Sequence, residues 1–395
     1  MKRICRRSFL HRTTSGLLGW PLLVMATRAA TTERKWRAAI IGASGRGDYG
    51  HGLDAVFGEF PSIEVVAVAD PVTEGRERAV SRARAKRQYA HYQEMLAVEK
   101  PELVVLAPRW SEQRHAMAMA ALDAGAHLLT EKPFTVTLAE ADEILQSARE
   151  KRRKISVAHQ MRLAPNVVHL KRALKHGAIG ELVQMRSWGK QDRRAGGEDM
   201  LVLGTHLFDM MRLFAGDPTS CYARVFSEGR PITTSDKRSA TEGIGPIAGD
   251  EIEATFQFPK GVTATFTSRG RLRESLAHWS VELIGTRGTV RILMDIDPRV
   301  LMKRRSEKSP LEIVEHWQPL PEDPALNLQP EQRGFGPANR RVTADWLESI
   351  ERDREPQCSG YNGMKAIEMV MAVYESALAD RPVSLPLLKR THPLL

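Results

Sequence analysis

Arg37-Ala38-Ala39-Ile40-Ile41-Gly42-Ala43-Ser44-Gly45-Arg46-Gly47 decides the fold. A short apolar strand runs straight into a glycine-dense turn, where backbone amides can approach a pyrophosphate closely. A helix is expected to open after Gly47, its N-terminal dipole facing the anion. Residues 63–69 then make a second buried strand that ends on Asp70. Asp70 lies 23 positions after Gly47, near the ~20-residue offset at which an acidic side chain meets the adenosine ribose. These features describe a dinucleotide-binding unit with Gly42, Ser44, Gly45, Arg46, Gly47 and Asp70 as cofactor contacts. Counted from Gly42, Ser44 stands where G-x-G-x-x-G has its second glycine, and Gly45 beside it keeps the turn tight. A carboxylate at position 70 favours NAD by repelling a 2′-phosphate, while Arg46 and Arg76 leave NADP open.

Toward the N-terminus the composition changes. Residues 1–30 hold six Lys or Arg and no acid, and the apolar run at 17–26 is interrupted by Gly19 and Pro21. That run is too short to span a bilayer. Its basic, apolar and small-residue order is that of a cleaved signal peptide, ending near Ala29 or Ala30. Arg6-Arg7-Ser8-Phe9-Leu10 resembles the twin-arginine signal, whose route carries folded proteins. The expectation is a periplasmic or secreted protein, without stable membrane insertion, that leaves the cytosol with its nucleotide already bound and held.

Without the leader's six cations the formal charge falls from +10 to +4, so the basic balance is partly a property of the export segment. Six basic residues lie between Arg76 and Arg87, but Ala79, Val80, Ala83 and Ala85 separate them as on a solvated helix. No aromatic residues are interleaved, which argues against a nucleic-acid partner. Cys5 belongs to the leader, and Cys221 and Cys358 give neither a disulfide framework nor a metal pattern; buried free thiols are expected. No His, Cys or Asp spacing suggests a metal.

Beyond Asp70, residues 74–95 have helical composition, and Leu103-Val104-Val105-Leu106-Ala107 is an apolar strand ending at Pro108-Arg109-Trp110. A helix over 115–124 and a strand over 126–130 follow, running into Glu131-Lys132-Pro133. A helix over 138–152 and a strand at 155–158 complete the alternation of a parallel, doubly wound α/β sheet. In the second half the pattern changes to period two: 251–258 with 262–267, and 279–284 with 289–293, read as hairpins. Irregular stretches at 227–250 and 319–337 are long enough to lie over a site. The expected domains are therefore 1–30 (leader), 36–158 (Rossmann) and 159–395, an α/β domain with a large open, mostly antiparallel sheet.

Several motifs in order resemble the Gfo/Idh/MocA family, the relatives of glucose-fructose oxidoreductase and inositol dehydrogenase. They are the 42–47 turn, Asp70, Ala107-Pro108, Ala124-Gly125-Ala126-His127 before Glu131-Lys132-Pro133, Gly177-Ala178-Ile179-Gly180, Gly204-Thr205-His206-Leu207-Phe208-Asp209, and residues 374–383. The resemblance implies an NAD(P)-dependent oxidoreductase acting on a hydroxyl of a sugar, cyclitol or glycoside, working as a homo-oligomer. It implies that Lys132, before an often cis proline, contacts the reacting hydroxyl, and that His206 handles the proton. Pro108, Arg109, Trp110 and Glu131 would flank the nicotinamide, while His159, Gln160, Arg162, Asp199 and Asp209 would reach substrate.

One position departs from the family. Many members have Asp four residues before the histidine, and here that residue is Val202. Two alternatives therefore stay open: an NAD-dependent glycosidase working by oxidation, elimination, addition and re-reduction, and a non-catalytic sugar-binding relative.

Overall fold

Strand β1 (Trp36–Ile41) is flanked on both sides because its inner residues are small or aliphatic and bury both faces. The structure is a computed structural model that describes residues 35–270, 279–304, 317–320 and 328–395. The expected leader lies outside these residues. The first sheet contains β1, β2 (Ile63–Ala69), β3 (Arg87–Tyr89), β4 (Leu103–Leu106), β5 (His127–Thr130) and β6 (Ile155–Val157). Its spatial order is β3-β2-β1-β4-β5-β6, all parallel. The chain winds outward from β1 to β3 and then returns to β4. The carboxyl ends of β1 and β4 thus border the switch point at which ligands bind in such sheets. Helices α1 (Thr73–Ala83), α2 (Tyr92–Glu99), α3 (Arg114–Asp123) and α4 (Leu138–Glu150) connect the strands. Thr137 and Glu140 cap α4 reciprocally through each other's backbone amides.

Two expectations fail here. No α-helix follows the glycine turn: residues 43–60 fold as successive tight turns with a single 3-10 turn at Leu53–Ala55. Gly45, Gly47, Asp48, Gly50 and Gly52 all have positive φ, which a right-handed helix cannot accommodate. An anion at this turn would meet loop amides, not a helix dipole. The single helix expected over 74–95 is α1, the exposed edge strand β3 and α2, because Arg87 and Gln88 carry no apolar signal.

The second half starts with α5 (Pro165–Lys175) and β7 (Leu182–Trp188). A continuous helical segment follows: α6 (Gly197–Asp199), a π-turn over Met200–Gly204, and α7 (Thr205–Ala215). The later strands are β8 (Ser220–Ser227), β9 (Arg230–Pro231), β10 (Arg238–Ser239), β11 (Pro246–Ile247), β12 (Glu251–Gln257), β13 (Thr263–Arg269), β14 (Ser280–Gly285), β15 (Gly288–Leu293), β16 (Arg299–Arg304), β17 (Gln318–Pro319) and β18 (Val383–Ser384). The large sheet runs β17-β16-β15-β14-β7-β13-β12-β8-β18, antiparallel except where β7 meets β13. Both expected hairpins are present as β12–β13 and β14–β15.

Phe208 of α7 meets Phe256 and Phe266 edge-on at 5.4 and 5.1 Å, which seats the helix on the sheet. Helices α8 (Phe335–Glu351) and α9 (Gly360–Ala379) complete the chain, and α9 packs on both β6 and β8. Gly360 and Gly363 allow this: an added Cβ would stand 2.9 Å from Leu145 and 2.8 Å from Val157. Cys221 and Cys358 are free and buried, and burial pushes both thiols up. No helix among the described residues is long and apolar enough to cross a membrane.

Candidate active site

Strand β5 ends at Thr130 and delivers Glu131 and Lys132 to the edge of the sheet. Buried Arg114 ties this end to β4, donating to the Glu131 carbonyl at 2.6 Å and the Pro108 carbonyl at 2.5 Å. The Lys132-Pro133 bond is cis. Glu131 is wholly buried, and its Oε1 accepts from the His51 amide (3.1 Å) and pairs with His51 Nδ1 (2.8 Å). Its Oε2 accepts from the Lys132 amide at 2.9 Å. Burial pushes this carboxyl up, but the bonds and charge of His51, together with Lys132, outweigh burial and hold it at about 2.

Lys132 is only 4% exposed, and its ammonium donates to the Val202 carbonyl at 3.0 Å. Burial lowers it, with Glu131 and Glu242 opposing. At position 202 this lysine meets a π-turn carbonyl; such turns recur at functional sites. His206, one turn further on, is buried, with Nδ1 lacking a partner. Its ring lies edge-on to His159 at 5.4 Å and Trp279 at 6.1 Å. Burial, with Lys132 and the two neighbouring histidines, lowers its pKa well below the usual histidine value, so it is neutral near pH 7.

Lys132, Val202 and His206 line a cavity of about 250 Å³, with His51, Trp279 and Phe335 forming other walls. The 227–250 stretch does lie over the site. Glu242 closes the cavity by pairing with Arg109 at 3.2 Å, and Gly243 passes so near Trp110 that an added Cβ would stand 3.2 Å from its ring. Phe335, at the close of the second irregular stretch, reaches the cavity as well.

Of the expected substrate contacts, Gln160 lines the cavity and holds Asn339 at 2.8 Å. His159 packs behind it, 3.7 Å from Asp209. Arg162, Asp199 and Asp209 are corrections, since none lines the cavity. Asp209 is fully buried and grips Arg162 through Nε (3.0 Å) and Nη2 (2.5 Å). Asp199 accepts from Ser268 Oγ at 2.7 Å and from the Lys190 and Gln191 amides, so it fastens the chain after β7. Lys190 and Arg194, which that segment presents to the cavity, carried no sequence signal. His51 had one: a histidine between two glycines, directly after the glycine turn.

The nicotinamide end of a dinucleotide fits this arrangement. Arg109 Nε and His206 Nδ1 are buried and unpartnered there, and Gly47 lies so close to Arg109 that an added Cβ would be 2.6 Å from its amide. Arg46 lies over the Trp110 ring at 4.8 Å. The adenosine end is drawn shut. Asp70 has no exposed surface and accepts from Ser44 N (3.0 Å), Ser44 Oγ (2.8 Å) and Val72 N (2.9 Å). The Tyr49 ring lies against Gly42, with its buried hydroxyl lacking a partner.

A doubly wound parallel sheet whose switch point opens onto a buried lysine and paired histidines defines a two-lobed, dinucleotide-dependent oxidoreductase. The chain belongs to the Gfo/Idh/MocA oxidoreductase family: the NAD-binding Rossmann-fold domain matches residues 36–159 and the C-terminal alpha/beta domain residues 171–385. It is accordingly an NAD(P)-dependent oxidoreductase, with NAD as the cofactor of its first domain. D-apiose dehydrogenase of Paraburkholderia graminis is 26% identical over 385 residues, 92% of this chain and 93% of that protein. The 1,5-anhydro-D-fructose reductase of Ensifer adhaerens is 25% identical over 280 residues, 68% of this chain and 75% of its own. A solved levoglucosan dehydrogenase, in complex with NADH and levoglucosan, shares the fold with a TM-score of 0.73 at 19% identity, covering 90% of this chain and 100% of that one.

The Glu131 network makes stability depend on acid. Its carboxyl is held near 2 against an ordinary 4.5, so its contribution is complete above pH 4.5 and is lost as pH falls toward 2. Thermal melts across that window are expected to show the midpoint falling, and Glu131→Gln is expected to flatten the fall.

Proposed function

We propose that this protein is exported by the twin-arginine route already folded, with NAD held tightly, and oxidises a hydroxyl of a sugar, cyclitol or glycoside. The observation that carries the reading is the buried Lys132 ammonium at the edge of the parallel sheet, in a cavity sized for a sugar ring. Bound NAD supplies the acceptor for the hydride of the carbinol carbon. Lys132 hydrogen-bonds the reacting oxygen and stabilises the alkoxide as it forms. His206, neutral and with Nδ1 free, orients the sugar beside it. The relatives named for apiose, levoglucosan and anhydrofructose support a carbohydrate substrate.

Export after folding requires that the cofactor stay bound, since nicotinamide dinucleotides are made in the cytosol. Mass spectrometry of the small molecules freed by denaturing the exported protein is expected to find NAD at close to one per chain; an empty supernatant contradicts retention. Product analysis separates oxidation from redox-neutral hydrolysis, because hydrolysis proceeds without an external acceptor.

A further inference from the structure

His51 lines the cavity with Lys132 and His206, and it is fixed from several sides. Its amide and Nδ1 both reach Glu131 Oε1, its carbonyl accepts from Asn339 Nδ2 at 3.0 Å, and its ring stacks on Phe335 with centroids 4.6 Å apart. Gly50 permits the approach, since an added Cβ there would stand 2.5 Å from the Glu131 side chain. An ionised carboxylate only accepts hydrogen bonds, so Nδ1 carries a proton, and in the neutral ring Nε2 then presents the lone pair. That is the arrangement of a general base backed by a carboxylate.

We propose that His51, backed by Glu131, takes the hydroxyl proton during oxidation, the task that the family resemblance assigns to His206. The inference rests on the oxidoreductase reading above. NAD, when bound, would accept the hydride as the carbinol C–H bond breaks. The O–H bond breaks and its proton goes to His51 Nε2, and the carbonyl C=O forms. The imidazolium is countered by Glu131 and returns its proton to solvent through the 27% of its side chain that is exposed.

His206 is the weaker acceptor. It is buried with Nδ1 unpartnered and Lys132 nearby, and among the described residues no carboxylate hydrogen-bonds to it to stabilise an imidazolium. The charged groups around His51 are Glu131 and Lys132 after β5, Arg109 after β4, Lys190 and Arg194 after β7, Glu242 from the covering stretch and Asp295 between β15 and β16. Glu131 is the carboxylate hydrogen-bonded to its ring.

The test uses the full-length holoprotein. In wild type, 15N spectra of labelled histidine, assigned against His51→Ala, are expected to show the Nδ1–H tautomer at His51. With a glycoside that wild type oxidises, His51→Ala is expected to lower kcat by ~10²–10⁴-fold, as for loss of a general base. KM should stay nearly constant, the acidic limb of the kcat profile should vanish, and added imidazole should restore part of the rate. An Nε2–H tautomer, or His51→Ala that keeps both rate and profile, overturns the proposal alone. A wild type that oxidises no glycoside removes the oxidoreductase reading and this proposal with it.

Discussion

Lys132→Met is expected to lower kcat by ~10³-fold or more while leaving the fold as stable as before, or more so. Removing one preorganised donor to a developing oxyanion costs ~10²–10³ in kcat, and this donor also carries a full charge in a buried position. Stability is expected to move the other way. The ammonium is buried with one carbonyl bond, and the attraction of Glu131 and Glu242 does not outweigh its desolvation, so a methionine of similar length removes a net burden. Lys132→Arg should not rescue activity, because a planar guanidinium cannot place its charge where the compact ammonium sits. Single-turnover absorbance of the reduced nicotinamide, alongside a thermal melt, reads both effects. A variant that is inactive because it is unfolded would contradict the assignment.

The largest structural effect is expected at Arg162. Replacing it with Met strands the Asp209 carboxylate, which has no exposed surface, and breaking one side of a buried pair costs ~3–5 kcal/mol. The double variant Arg162→Met with Asp209→Leu should recover most of that loss, since no buried charge remains. Denaturant titration of wild type, both single variants and the double variant forms the cycle. An Arg162→Met protein within about 1 kcal/mol of wild type would show the pair to be solvated instead.

The parallel sheet was legible because Ile40-Ile41, residues 65–69 and residues 103–106 are unbroken apolar runs, the mark of strands buried on both faces. The missing helix after the turn was also legible. Gly42, Gly45, Gly47, Gly50, Gly52 and Gly58 crowd one short segment, and each glycine disfavours a helix by ~1 kcal/mol relative to alanine. The fingerprint reading of residues 42–47 outweighed that count. Strand β3 was hidden because an exposed edge strand need not alternate.

In the site, Lys132 and His206 stood out because each follows a recognisable motif at an element's end. The cavity walls did not, since Asn339 reaches His51 across 288 positions and no local pattern encodes such a contact. Asp199, Asp209 and Arg162 misled for a physical reason: charged residues near a cleft satisfy each other or the backbone when they are buried, and so turn away from ligand.

The most direct test of the account mixes the purified, full-length protein with a panel of glycosides, sugars and cyclitols and follows the nicotinamide spectrum within one turnover. The account predicts that reduced nicotinamide grows in with at least one member for wild type and with none for Lys132→Met. Silence from a nucleotide-loaded wild type across the panel, or equal growth in both proteins, would contradict it.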